Sequence, residues 1–123
     1  MEETMNFGSV ITYLLVMLFV FVAGTALGQN LCDSDICVVQ FNASWNANNS
    51  VDYLDELTDC EVMNLNIDDD DSYQNDFEIV VVPTIIVFNG KEVKRFQANI
   101  MMQLEATRRE VQDVVDEIIY SDF

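Results

Sequence analysis

"VPTIIVFNGKEV", residues 82–93, is an apolar run that opens beside a proline and closes on a turn. Pro83 is the single proline of the chain. Proline has no N–H to give to a ladder, so in a sheet it is confined to a strand's first residue, an edge or a bulge. Asn89-Gly90-Lys91 is a hairpin signal, and Glu92–Gln97 reads as the returning strand. The stretch therefore specifies an antiparallel hairpin whose first strand begins at the proline.

Working outward, "ICVVQFNASW" (36–45) is apolar and β-branched and reads as a buried strand. "NANNS" (46–50) is a turn and helix-start cluster. Val51, Leu54 and Leu57 stand at helical spacing and predict a short helix over 51–59. Residues 60–67 alternate Val62, Asn64 and Asn66 against Met63, Leu65 and Ile67, a strand pattern. Residues 68–77 begin with acids, as suits a helix N-terminus. Leu104, Val111, Val114, Val115, Ile118 and Ile119 share one face of a final amphipathic helix, with Glu105 four residues before Arg109 in its support. The order is β-α-β-α-β-β-α, an α/β class.

This order, with a proline opening the strand before a terminal hairpin, resembles thioredoxin over residues 36–119. "VVQFNASW" (38–45) looks like the family's strand that ends in a Trp before the active-site turn. "LNID" (65–68) looks like the end of its next strand, and residues 82–93 look like its cis-proline segment. The resemblance implies a mixed sheet flanked by helices and a cis bond before Pro83. It does not carry the family's chemistry with it. Where thioredoxin has W-C-G-P-C, this chain has Trp45-Asn46-Ala47-Asn48-Asn49, so both cysteine positions hold asparagine. Disulfide exchange needs a thiolate, and a carboxamide offers none. The family's buried acid falls on Gln40. The expectation is a degenerate turn in which Asn46 or Asn49 caps a helix. Trp45 and Pro83 would shape the fold and a groove beside it. No catalytic residue and no cofactor are expected, and the chain is not expected to be an enzyme.

The cysteines are Cys32, Cys37 and Cys60, an odd number with no C-x-x-C. Cys32 and Cys37 can bridge only if the chain turns between them, since fully extended they stand about 16 Å apart. Otherwise all three are part-buried free thiols. Neither Cys37 nor Cys60 begins a helix, where a thiol pKa would fall.

The chain carries 22 acids against five bases, a formal charge of −17, and no Lys or Arg precedes Lys91. Such a surface repels nucleic acid and anionic headgroups and favours basic protein partners. Asp68, Asp69, Asp70 and Asp71 are the densest part of that candidate docking surface. They lack the central Gly and terminal Glu of a calcium loop, and with no His in the chain no metal site is expected. Asn42 and Asn48 each begin an N-x-S sequon.

After a short tail (1–6), residues 7–28 are uncharged and would span about 33 Å as a helix, enough for a bilayer core. Small residues at Ala26-Leu27-Gly28 suit a leader-peptide cleavage site, but the acidic start and long apolar run favour a retained anchor. A linker (29–35) and a single thioredoxin-like domain (36–123) complete the reading. The expected role is a non-catalytic, membrane-anchored structural or docking subunit of a larger membrane-associated assembly, without a small-molecule substrate; a minor protein of a membrane-containing virion is one form of it. The competing readings are an atypical thiol oxidoreductase or isomerase using Cys32, Cys37 or Cys60, and a peptide-binding chaperone-like module.

Overall fold

The computed structural model describes residues 31–32 and 35–121. The compact unit begins at Cys32. The apolar stretch 7–28 lies outside the described residues, and among those described no helix is long and apolar enough to cross a membrane.

Four strands make one mixed sheet: β1 (Ile36–Asn42), β2 (Glu61–Asn66), β3 (Thr84–Asn89) and β4 (Glu92–Gln97), in the order β2-β1-β3-β4. β1 runs parallel to β2 and antiparallel to β3, and β3 and β4 form the hairpin. A strand buried on both faces reads as an unbroken apolar run, which is why β1 and β3 show little alternation. The outer strand β4 instead carries Glu92, Lys94 and Arg95, charges that blunt an edge. Gly90 turns the hairpin at φ 76°, where a side chain would be strained. The Val82–Pro83 peptide bond is cis, and β3 starts at the next residue.

The register separates two layers. On one face Val38, Ile85 and Val87 pack under the helix α2 (Arg108–Ser121) through Val111, Val115 and Ile118, with Leu54 and Leu57 completing the cluster. On the other, Phe77 follows the short helix α1 (Asp71–Asp76) and lies between Phe41 and Phe88, with ring centroids 5.1 and 5.8 Å away. Arg95 fastens the end of α1 to the sheet. Its guanidinium donates to the carbonyls of Phe77 (2.7 Å) and Glu78 (2.8 Å) while Glu92 holds it by a salt bridge of 2.7 Å.

The helix expected over 51–59 does not form. Among the described residues no α-helix lies between Asn49 and Glu61, only the 3-10 turn Leu54–Glu56. Nine residues, three of them Asp and three more Val, Tyr and Thr, are too few and too poor in propensity to offset helix nucleation. Side chains satisfy the backbone in its place. The buried Gln40 carboxamide accepts from Val51 N (2.8 Å) and donates to Val51 O (3.4 Å). Gln112 accepts from Thr58 N (2.9 Å) and donates to Thr58 O (3.1 Å). Tyr53 donates to the Ala106 carbonyl at 2.6 Å. The final helix also starts later than its apolar pattern suggests. Thr107 caps it, Glu110 N donating to Thr107 Oγ1 at 3.3 Å and the Thr107 hydroxyl donating to the Glu110 carboxylate at 3.4 Å. Glu105 precedes that cap and accepts from Asn99 at 3.2 Å, so no helical pairing with Arg109 exists.

Burial, with Glu110 as the lesser cause, pushes the Tyr53 phenol up to about 12. A raised pKa adds stability that is fully present below the unfolded value near 10 and is lost as pH climbs through the folded one. One tyrosine should therefore ionise last in an alkaline absorbance titration. Stability should fall between about pH 10 and 12, and Tyr53→Phe should remove that fall. An identical pH profile for the variant would refute the assignment.

Candidate functional site

The two ends of β1 hold the residues of interest. At its C-terminal end lies the turn Trp45–Asn49. Asn46 is buried, at 6% exposure, and its carboxamide is a hub. Nδ2 donates towards Asn42 Oδ1 (3.1 Å), Val82 O (3.2 Å) and Met102 O (3.3 Å), while Oδ1 accepts from Asn49 Nδ2 at 2.8 Å. Asn42 in turn donates to Asn46 O (3.1 Å) and Ser50 Oγ (2.7 Å). Neither Asn46 nor Asn49 caps a helix, contrary to expectation: the first turn is capped by no side chain and no α-helix follows it. The asparagines tie the turn to the carbonyl before the cis proline. Ala47 and Asn48 are exposed, and so is Trp45, at 67%. Trp45 is thus no core residue; with Val80, Val81, Val82, Ile100 and Met102 it lines a groove of about 220 Å³.

The four acids at 68–71 are exposed, and two of them have local structural tasks. Asp68 accepts from Ser44 N at 3.0 Å, and the hydrogen bonds from Ser44 hold its carboxyl below the usual range. Asp70 accepts from the Ser72 hydroxyl at 2.7 Å and, as the cap of α1, from Ser72 N at 2.9 Å, and these bonds lower its pKa likewise.

At the N-terminal end of β1 the structure makes the pairing that the sequence left open. Cys32 and Cys37 form a disulfide, with Cα atoms 6.2 Å apart. The chain turns between them instead of extending. Cys37 is fully buried on the Phe41 face, and Cys32 is half-buried with its sulfur 3.8 Å from Met63 Sδ. Cys37 stands in register with Glu61 on the parallel neighbour β2. A Glu61 carboxylate oxygen and both sulfurs lie within 4.8 Å of one another. Cys60 points the other way, against the α2 cluster. Burial first, and then Asp59, raise its thiol pKa, so it is a poor nucleophile. It lines a separate recess of about 410 Å³ with Asp35, Ile36, Asp59 and Glu61.

This pair corrects the expectation of a redox-inactive, non-enzymatic subunit. That expectation rested on Asn46 and Asn49, where the family keeps its cysteines. The chain has a bridged pair elsewhere, five residue steps from Asn42 along β1, about 17 Å at strand rise. Glu61 and Met63 were not recognised from sequence. Their i, i+2 spacing on a strand places them on one face, but only the parallel register brings that face beside Cys37.

No family model matches the chain, and no curated protein matches it. Solved structures do. A mutant thioredoxin from Halobacterium salinarum is 22% identical with a TM-score of 0.53, covering 69% of this chain and 75% of that one. A mutant thioredoxin of Entamoeba histolytica is 21% identical with a TM-score of 0.52, covering 79% of this chain and 92% of its own. The oxidised thioredoxin of Plasmodium falciparum is 15% identical with a TM-score of 0.51, covering 79% and 90%. The fold is therefore thioredoxin-like: a mixed four-stranded sheet with helices, carrying a Cys32–Cys37 disulfide.

Replacing Asn46 by Ala leaves the carbonyls of Val82 and Met102 without this donor in a buried turn. The expected cost is about 2 kcal/mol, read as a lower urea midpoint, against under about 0.5 kcal/mol for Asn48→Ala. Equal midpoints for the two variants would show that the carboxamide hub does not hold the turn.

Proposed function

We propose that the chain is a thiol–disulfide oxidoreductase that works through Cys32 and Cys37. The observation that carries the reading is the bridged pair itself, with Cys32 half-buried and Cys37 fully buried. A thiolate of a substrate dithiol attacks the sulfur of Cys32, the less buried of the two residues. The Cys32–Cys37 bond breaks, and Cys37 leaves as a thiolate. The second substrate thiolate then attacks the substrate sulfur of the mixed disulfide, releasing the substrate as a disulfide and Cys32 as a thiolate. Both cysteines take up protons. Two electrons pass from the substrate to the pair, and a second disulfide takes them away to reset it.

Glu61 bears on the rate. A carboxylate beside the sulfurs disfavours the departing Cys37 thiolate and slows its release. The substrates are basic proteins, a reading supported by the excess of acids over bases. The uncharged residues 7–28 support an anchor that holds the domain beside a membrane.

The test is turnover by the full chain in mild detergent, with a basic dithiol peptide as reductant and glutathione disulfide as oxidant. Turnover is expected, with loss in Cys32→Ser and Cys37→Ser and retention in Cys60→Ser. Glu61→Gln should speed opening of the bridge by roughly two- to tenfold, since removing a nearby charge relieves a repulsion of order 1 kcal/mol at high effective dielectric. A bridge that stays closed in the folded chain under millimolar dithiol, or turnover that survives Cys37→Ser, would overturn the reading.

A further inference from the structure

We infer that the reduced form of the Cys32–Cys37 corner is a zinc site, with the two thiolates and the Glu61 carboxylate as its protein ligands. The inference needs only that the bridge can be opened chemically. It does not need the protein to catalyse exchange.

The geometry is the first ground. The two sulfurs and a Glu61 oxygen already lie within 4.8 Å of one another. Tetrahedral zinc holds thiolates at about 2.3 Å and carboxylate oxygen at about 2.0–2.2 Å, which sets ligand atoms roughly 3.5–3.8 Å apart. Breaking the S–S bond lets the sulfurs separate towards that spacing while the carboxylate closes in. Two ligands stand on the paired strands β1 and β2, at the register partners Cys37 and Glu61. Their backbones are therefore fixed by the sheet ladder before any ion arrives. Cys32 lies outside the strand ladders.

The donor chemistry is the second ground. Two thiolates and one carboxylate make a mixed sulfur–oxygen set that suits zinc and not calcium or magnesium, which take oxygen ligands throughout. The Met63 thioether, 3.8 Å from Cys32 Sγ, is a further soft group at the corner. Water or that thioether completes the fourth position.

Electrostatics is the third. Reduction places two ionisable thiols beside a carboxylate in a chain with a formal charge of −17 and no basic residue before Lys91. Three like charges at that spacing are costly. A divalent cation removes the repulsion, and binding drives off the two thiol protons. The disulfide form cannot supply the thiolates, so the site exists only in the reduced state. No change in zinc's oxidation state is involved: a dithiol or phosphine supplies two electrons to open the bridge, and a disulfide accepts two when it recloses. Cys60 takes no part, because it lies on the opposite face.

The full chain, in mild detergent, would be reduced with a phosphine, freed of excess reductant and titrated with Zn2+ against a chromophoric chelator. Co2+ would replace zinc in a parallel titration to report thiolate ligation by its near-ultraviolet charge-transfer band. One equivalent should bind, with about two protons released per ion. The oxidised chain should show no charge-transfer band. Cys32→Ser and Cys37→Ser should lose the band or halve it, Cys60→Ser should keep it whole, and Glu61→Gln should weaken zinc by at least about tenfold. Equal binding by the oxidised chain, a full band in Cys37→Ser, loss of the band in Cys60→Ser, or unchanged affinity in Glu61→Gln would each overturn the assignment. Because a phosphine opens the bridge, a chain inactive in exchange can still bind zinc, and an active one can fail to; the two readings fail separately.

Discussion

Everything in this domain depends on burying β1 between β2 and β3. Six consecutive residues, Cys37 to Asn42, are taken out of water, and the ladders to β2 and β3 pair all of them but Asn42 on both sides; the Asn42 carbonyl accepts from Ile67 N at 2.8 Å, just past β2. The burial cost falls mainly on the polar members. Gln40 meets it by pairing with Asn64 at 2.8 Å and with the backbone of Val51. Asn42 meets it through Asn46 and Ser50. Among the described residues no buried side-chain nitrogen or oxygen lacks a partner. The strand thus imposes order at both ends. Its C-terminal carboxamides fix the turn before the cis proline, and its N-terminal cysteine fixes the disulfide.

The sheet was legible in the sequence because its signals are short-range and mutually consistent. Pro83 ahead of an apolar run, Asn89-Gly90 at the turn and alternation in residues 60–67 each point to one local conformation. The segment 51–59 shows the limit of that method. Val51, Leu54 and Leu57 are all turned toward the α2 cluster, as a helical reading of their spacing requires. Yet apolar spacing says which residues go inside, not which backbone carries them there. Gln40 and Gln112, distant in sequence, supply the hydrogen bonds that a helix would have made for itself.

The same distinction explains why the disulfide corner was harder to read than the asparagine turn. The loss at Asn46 and Asn49 is visible residue by residue once the resemblance is drawn. The gain at Cys32 and Cys37 depends on a turn with no strong local signal and on the parallel register that sets Glu61 opposite Cys37. Asn46 and Asn49 speak only for the C-terminal end of β1 and carry no information about the cysteines at its N-terminal end.

Glu61 gives the corner its character, since one carboxylate has opposite effects on the two fates of an opened bridge. For exchange it is an obstacle, because it raises the cost of any thiolate left beside it. For a divalent cation it is an attraction, because it contributes both charge and a ligand atom. Neutralising it should therefore move the two properties in opposite directions. A change that merely loosened the corner would also expose the sulfurs to attack and weaken the hold on an ion, so the two directions alone do not separate a charge effect from a packing effect. Shape and charge can be varied apart: Glu61→Gln keeps the shape and removes the charge, whereas Glu61→Asp keeps the charge and shortens the side chain, so an exchange rate that answers to the first and not to the second marks a chemical role for Glu61 at the edge of β2.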